Sequence, residues 1–229
     1  MTKVLYRKWR PKQFSDIVGQ PHVVKTLIRA VQSERVAHAY LFCGPRGTGK
    51  TSTARILAKS INCESKDSCT PTEPCRICRS IDKGIALDLI EIDAASNRGI
   101  DDIRDIREKA RYAPNEASHK IYIIDEAHML TDQAFNALLK TLEEPPEKVI
   151  FILATTESHK IPPTILSRCQ RYDFARITAE VISDRLSEIC KVEEFKVEID
   201  ALNLIANLAR GALRDAINIL EQSVVSDDP

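Results

Sequence analysis

The chain has 229 residues, 43% hydrophobic and 29% charged, which is ordinary for a globular protein and enough for one large domain or a medium domain with a small companion. Its 33 basic and 33 acidic residues cancel, so no global field draws in nucleic acid, and such a partner would need a local patch. No apolar run approaches the ~20 residues of a membrane span, and MTKVLYRKWRPKQF lacks the apolar stretch of a secretory signal; a cytoplasmic location is expected, where the seven cysteines serve as thiols or metal ligands rather than disulfides.

In chain order, YRKWRP reads as extended, and Pro11 and Ser15-Asp16 separate it from a helix over about 21–34 with Val23, Val24, Leu27, Ile28 and Val31 on one face. Ala39 to Cys43 is a short apolar run, hence a buried strand. After GPRGTGKT, apolar residues recur at helical spacing from Ser52 to Asn62. A Cys-, Ser- and Pro-rich insertion spans 63–79. Strands are predicted over 87–93, 120–125, 149–155 and 170–174, with helices over 99–112 and 131–143, the second stopped by Pro145-Pro146. Strands alternating with helices imply an α/β fold with a parallel five-stranded sheet covered on both faces. Beyond about residue 178 only helices are legible, over 179–191, 200–210 and 212–225, so the expected division is 1–177 and a small all-helical unit at 178–229.

Gly44 to Thr51 fits G-x-x-x-x-G-K-[ST], the phosphate-binding loop, in its required context of strand, loop and helix. Gly44, Pro45, Arg46, Gly47, Thr48, Gly49, Lys50, Thr51 and Ser52 are expected to cradle a nucleoside triphosphate at a helix N-terminus. Lys50 supplies a point charge for the β- and γ-phosphates, and the Thr51 hydroxyl a ligand for Mg²⁺. The strand at 120–125 ends in Asp125-Glu126, at the sheet edge where ligands bind in open α/β folds. Asp125 is expected to hold Mg²⁺, and Glu126 to orient and deprotonate the attacking water. Thr155, at the end of the next strand, could reach the γ-phosphate or that water.

Four cysteines, Cys63, Cys69, Cys75 and Cys78, give C-x₅-C-x₅-C-x₂-C in an insertion too polar to build a core, a donor set suited to tetrahedral Zn²⁺. Cys43, Cys169 and Cys190 read as packing residues. Arg104, Arg107 and Arg111 share a helix side that could track DNA phosphates, but Asp101, Asp105 and Glu108 lie at ion-pairing distance along it.

The loop, IYIIDEAH, the strand ending in ATTE, Ser167-Arg168-Cys169 and GALRDA at 211–216 occur in an order that resembles the clamp-loader AAA+ ATPases of bacteria. The opening YRKWRP, FSDIVGQ at 14–20, the cysteine insertion, DAAS at 93–96 and LLKTLEEPP at 138–146 extend that resemblance over the whole chain. It implies sheet order 5-1-4-3-2, with Thr155 as a first sensor of the γ-phosphate and Arg168 as an arginine finger reaching the ATP of a neighbouring subunit. It implies Arg214 as a second sensor from the helical lid, and Val18 with Tyr6, Arg10 and Pro11 around the adenine. It further implies ATP, Mg²⁺ and Zn²⁺, a hetero-oligomeric ring of subunits acting on a sliding clamp and primed DNA near the nucleoid, no membrane partner, and a collar beyond Pro229. The cysteines depart from the family spacing, which usually groups three at C-x₂-C-x₂-C.

Read without the resemblance, Arg168 and Arg214 are also plain surface arginines. Asp125-Glu126-Ala127-His128 spells the DEAH of helicases, although 229 residues leave no room for a second motor domain. A branch-migration motor would share the loop and the acidic strand end, but the cysteine insertion fits it poorly. A nucleotide-dead, zinc-containing DNA-binding scaffold would keep the cysteines, but the complete set of Lys50, Thr51, Asp125 and Glu126 argues against it.

Overall fold

The computed structural model describes residues 4–65 and 72–225. Its elements are α1 (Leu5–Lys8), α2 (Pro21–Gln32), β1 (Ala39–Cys43), α3 (Lys50–Asn62), α4 (Arg76–Lys83), β2 (Leu89–Asp93), α5 (Ile100–Ala110), β3 (Lys120–Asp125), α6 (Asp132–Glu143), β4 (Val149–Thr155), α7 (Pro163–Leu166), β5 (Gln170–Asp173), α8 (Ala179–Glu193), α9 (Ile199–Leu208) and α10 (Leu213–Val225). Short 3₁₀ turns stand at Phe14–Asp16, Ala127–Met129 and Ser158–Lys160. The five strands pair in parallel in the order β2-β3-β4-β1-β5.

The apolar runs are continuous because the central strands are covered on both sides, and all residues of β1 and β4 are buried. The two-residue period of a strand then divides their side chains between two cores. Leu41, Tyr122, Ile124, Phe151 and Leu153 face α5 and α6, where they meet Ile103, Ile106, Phe135, Leu138 and Leu142. Tyr40, Phe42, Ile121, Ile123, Ile150 and Ile152 face α2 and α3, where they meet Val23, Leu27, Ala54 and Leu57. Thr131 caps α6 by accepting the Ala134 N–H at 3.2 Å, and Thr178 caps α8 by accepting that of Val181 at 3.5 Å.

A third core joins α8, α9 and α10 through Ile182, Leu186, Ile189, Leu202, Ile205, Ala216, Ile217 and Leu220. The N-terminal segment enters this core. YRKWRP, expected to be extended, instead holds the short helix α1, with Leu5 buried and Tyr6 and Trp9 packed beside it. The Leu5 N–H donates to Glu221 Oε1 at 2.9 Å, and Trp9 Nε1 donates to Glu193 Oε1 at 2.8 Å. Four residues are too few for a periodicity to show, and the helix exists because Leu5 and Trp9, four apart, share one face against α8–α10.

The second strand is shorter than its apolar run suggested. Leu87 is 66% exposed and Asp88 turns inward, where it accepts the backbone N–H groups of Asn115, Glu116 and Ala117 at 2.7–2.9 Å. Burial pushes the Asp88 carboxyl up, but these hydrogen bonds outweigh it and hold the group below its ordinary value. The cysteine insertion also contains more structure than its composition suggested: α4 buries Ile77, Cys78 and Ile81.

Candidate functional site

The phosphate-binding loop joins β1 to α3 at the C-terminal edge of the sheet. Gly44 lies at φ 147°, and a Cβ there would stand 2.4 Å from the Phe174 carbonyl oxygen. Gly47 lies at φ 76°, and its Cβ would stand 2.8 Å from Ala212 Cβ. Only glycine fits either place, and Gly47 lets the loop lie directly against Ala212, just before the last lid helix α10. Lys50 begins α3 and is 6% exposed. Its Nζ donates to the carbonyls of Gly44 and Pro45 at 2.7 and 2.8 Å, which keeps the ammonium inside the loop. Burial pulls Lys50 below its usual value, and Glu126 and Asp125 act against that fall.

The two expected Mg²⁺ ligands converge. The Thr51 hydroxyl donates to Asp125 Oδ2 at 2.7 Å, a contact made across 74 residues of sequence. A hydroxyl and a carboxylate oxygen in contact at the loop form a hard-oxygen donor pair suited to Mg²⁺ bound together with phosphate. Glu126 follows at φ 48°, a left-handed conformation uncommon for a side chain with a Cβ, and this turns the chain sharply at the sheet edge. Its Oε2 accepts the Thr156 hydroxyl at 3.1 Å. Thr155 pairs in register with Cys43, and its carbonyl accepts the Gly44 N–H at 3.2 Å, so β4 ends beside the loop.

From the lid side, the guanidinium of Arg214 stands 4.7 Å over the Tyr6 ring. The Tyr6 hydroxyl accepts from Arg7 at 3.2 Å, and Arg7 first and Arg214 second pull its phenol down. Arg10 Nε donates to Ser52 Oγ at 3.4 Å, which ties the N-terminal segment to the first turn of α3. Val18 packs against the lid core. Lys50, Thr51, Asp125, Glu126 and Thr155 are thus gathered at one edge, with Arg10 anchored on the neighbouring Ser52 and Ala212 of the lid against the loop.

Arg168 has different partners. Its guanidinium donates to Glu143 Oε1 at 2.7 Å and to the Thr164 carbonyl at 2.7 Å. The sequence reading missed Glu143, and also Thr156, His128 and Glu157 around Glu126 and Thr155. All four lie within motifs quoted above (DEAH, ATTE and LLKTLEEPP), but nothing in those motifs assigned them a contact.

In the cysteine insertion, Cys63, Cys75 and Cys78 bring their sulfurs within 4.8 Å of one another; Cys69 lies outside the described residues. A tetrahedral Zn²⁺ with bonds of ~2.3 Å spaces its sulfurs by about 3.8 Å, and Cys63 Sγ stands 4.0 Å from Cys75 Sγ. Cys75 caps α4, and its sulfur accepts the Cys78 N–H at 3.5 Å. The donor set fits zinc. The module is fastened to α3 by Lys59, whose Nζ reaches both carboxylate oxygens of Asp82 at 2.8 and 2.9 Å. Cys43, Cys169 and Cys190 pack as expected, and burial pushes all three thiols up, Cys169 to about 12.

Comparison with known proteins places this geometry. The sequence model of a family described as DNA polymerase III, delta subunit, matches residues 19–178, and that of the DNA polymerase III clamp loader subunit, ATPase lid domain, matches residues 181–227. The chain belongs to the DNA polymerase III clamp-loader subunit family. DNA polymerase III subunit tau of Bacillus subtilis is 55% identical over 222 residues, covering 97% of this chain and 39% of that protein. Subunit tau of Escherichia coli is 50% identical over 226 residues, covering 99% of this chain and 35% of that protein. The chain therefore spans little more than a third of the length of either relative. Among solved structures, Thermotoga maritima RuvB superposes with a TM-score of 0.70 at 20% identity, over 96% of this chain and 68% of that one, a likeness of AAA+ fold. The α/β class, the five-stranded parallel sheet and the helical unit expected from the alternation of elements are present, and so is the sheet order 5-1-4-3-2 implied by the clamp-loader resemblance.

Proposed function

We propose that this chain is the ATP-hydrolysing part of a bacterial clamp-loader subunit. One observation carries the reading. Thr51 and Asp125 are in contact beside a buried Lys50, and Glu126 stands next in sequence at the same edge. A nucleotide-dead scaffold would not need all four. Backbone N–H groups of the loop and the N-terminus of α3 would bind the phosphates, and Lys50 would leave the Gly44 and Pro45 carbonyls for the β- and γ-phosphates. Bound Mg²⁺, held by Thr51 and Asp125, would neutralise charge developing on the phosphates. Glu126 would take the proton of the attacking water, and Thr155 would hold the water or the γ-phosphate in line. Arg214 would reach phosphate from the lid, and Arg168 would reach the ATP of a neighbouring subunit.

ATP binding would favour a closed ring, with other clamp-loader subunits, that holds and opens the sliding clamp; hydrolysis would release clamp and primed DNA, in the cytoplasm at the nucleoid. DNA contacts would be to phosphates and independent of sequence. Of the arginine face on α5, Arg104 is occupied by Asp101 at 3.1 Å, which favours ion pairing there over a DNA role for that residue. Among the described residues no helix is long and apolar enough to cross a membrane. The test is ATP turnover by the full chain assembled with its partner subunits, with and without primed DNA and clamp. Stimulation by both together supports the reading. Turnover indifferent to the clamp but driven by duplex unwinding would favour a helicase.

We also propose that Cys63, Cys69, Cys75 and Cys78 hold one Zn²⁺. Freshly purified protein is expected to carry one zinc per chain by elemental analysis, and replacing any one of the four with serine should lower that occupancy. Chelation should expose the insertion to proteolysis yet leave ATP affinity unchanged, because the site touches α3 at Lys59 and its end rather than at the loop. Purified protein without zinc would refute the site.

A further inference from the structure

His128 closes the DEAH sequence and has no part in the mechanism above, yet its side chain is only 7% exposed. The left-handed turn at Glu126 and the 3₁₀ turn at Ala127–Met129 fold the chain back, so that the imidazole lies beside the end of β4. Its Nδ1 is 3.1 Å from Thr155 Oγ1 and 3.5 Å from Glu126 Oε2. Its Nε2 is 3.3 Å from Glu157 Oε1. Thr155 Oγ1 already accepts the Glu157 N–H at 3.0 Å, and the Thr156 hydroxyl binds Glu126 Oε2 at 3.1 Å.

One arrangement of protons satisfies these contacts. The Thr155 oxygen accepts from Glu157, so its single proton is free to go to Nδ1 of His128. Nε2 of a neutral ring then carries the hydrogen, and it faces the Glu157 carboxylate, whose charge favours that tautomer. Glu157 is in turn held by Lys160 at 2.9 Å. Nδ1, an acceptor in this arrangement, makes no hydrogen bond to Glu126, so the imidazole acts on the Thr155 hydroxyl and is braced from behind by Glu157.

Resting on the ATPase reading, we infer that His128 is a positioning residue: it fixes the direction of the Thr155 hydroxyl at the end of β4. A histidine buried only for packing would occupy the same volume without acting through Thr155, and the two cases separate by measurement. In the full-length chain assembled with its partner subunits, His128→Ala should lower kcat for clamp- and DNA-stimulated ATP turnover about 10–100-fold, the scale on which partners that orient site ligands act. ATP affinity should stay within about twofold. His128→Asn keeps an acceptor near the place of Nδ1 and should recover most of the rate. Because the effect runs through the Thr155 hydroxyl, His128→Ala should add less than about twofold to the loss already caused by Thr155→Val.

A kcat for His128→Ala within about twofold of wild type overturns the inference. So does an equal loss on the Thr155→Val background, or an ATP affinity that falls in step with the rate. If His128→Ala fails to assemble, His128→Asn and Glu157→Gln decide. Glu157→Gln removes the charge that sets the tautomer and should slow turnover several-fold at an unchanged melting temperature; full rates in both variants refute the role. A wild-type complex that does not turn over ATP counts against the ATPase reading, whereas an active complex indifferent to His128 counts against this inference alone.

Discussion

Glu126→Gln should bind ATP and Mg²⁺ as the parent does and hydrolyse ATP about 10²–10⁴-fold more slowly, the usual contribution of a placed general base. The amide is nearly isosteric and still accepts the Thr156 hydroxyl, so the left-handed turn and its surroundings have no reason to change. What is lost is proton acceptance alone. Lys50→Ala is the contrasting case. Its ammonium is buried in the loop, and removing it takes away the charge for the β- and γ-phosphates, so ATP binding itself should fail and turnover with it. Equilibrium binding of a fluorescent ATP analogue, with single-turnover hydrolysis on both variants, separates the two losses. Normal turnover in Glu126→Gln would remove this residue from the chemistry.

The phosphate loop and its acidic partner were legible in the sequence because each is a local pattern whose chemistry depends on spacing. So were β3 and β4, where unbroken apolar runs end on a polar residue at the sheet edge. The sheet order came only with the clamp-loader resemblance, since parallel strands are paired by crossovers that leave no mark in a single segment. Leu87 misled because an apolar residue beside a strand looks like part of it, and only the inward turn of Asp88 to cap the 115–117 loop shows where the ladder begins. α1 was hidden by its length, and α4 by the polar residues that surround its three buried side chains. The partners of the site residues were least visible. Thr156 follows Thr155 directly, but its hydrogen bond to Glu126 depends on β3 and β4, which meet only after folding. Glu143 and Arg168 are 25 residues apart, and no periodicity connects them.

Arg168→Ala should leave the isolated chain almost unchanged and slow the assembled ring severely. In the single chain the guanidinium is bound by Glu143 and by the Thr164 carbonyl, so it does not serve the chain's own loop. That ion pair is partly exposed, with Arg168 33% and Glu143 50% accessible, and such pairs contribute about 0–1 kcal/mol. A neighbour's γ-phosphate, approached in a water-poor interface, offers a stronger partner, so the same side chain can leave Glu143 at little cost. An arginine supplied in trans is worth ~10³–10⁵ in rate among small GTPases, which bounds the loss from above. ATP affinity should change little, because the finger acts on charge that develops during transfer. Lys in its place should restore only part of the rate, since it lacks the planar fork. Mixed rings give the direction. A ring that places an Arg168→Ala subunit beside a Lys50→Ala subunit should keep a working interface only where an intact arginine faces an intact loop. If activity instead follows Arg168 within its own chain, the residue is structural, and its bond to Glu143 is its whole role.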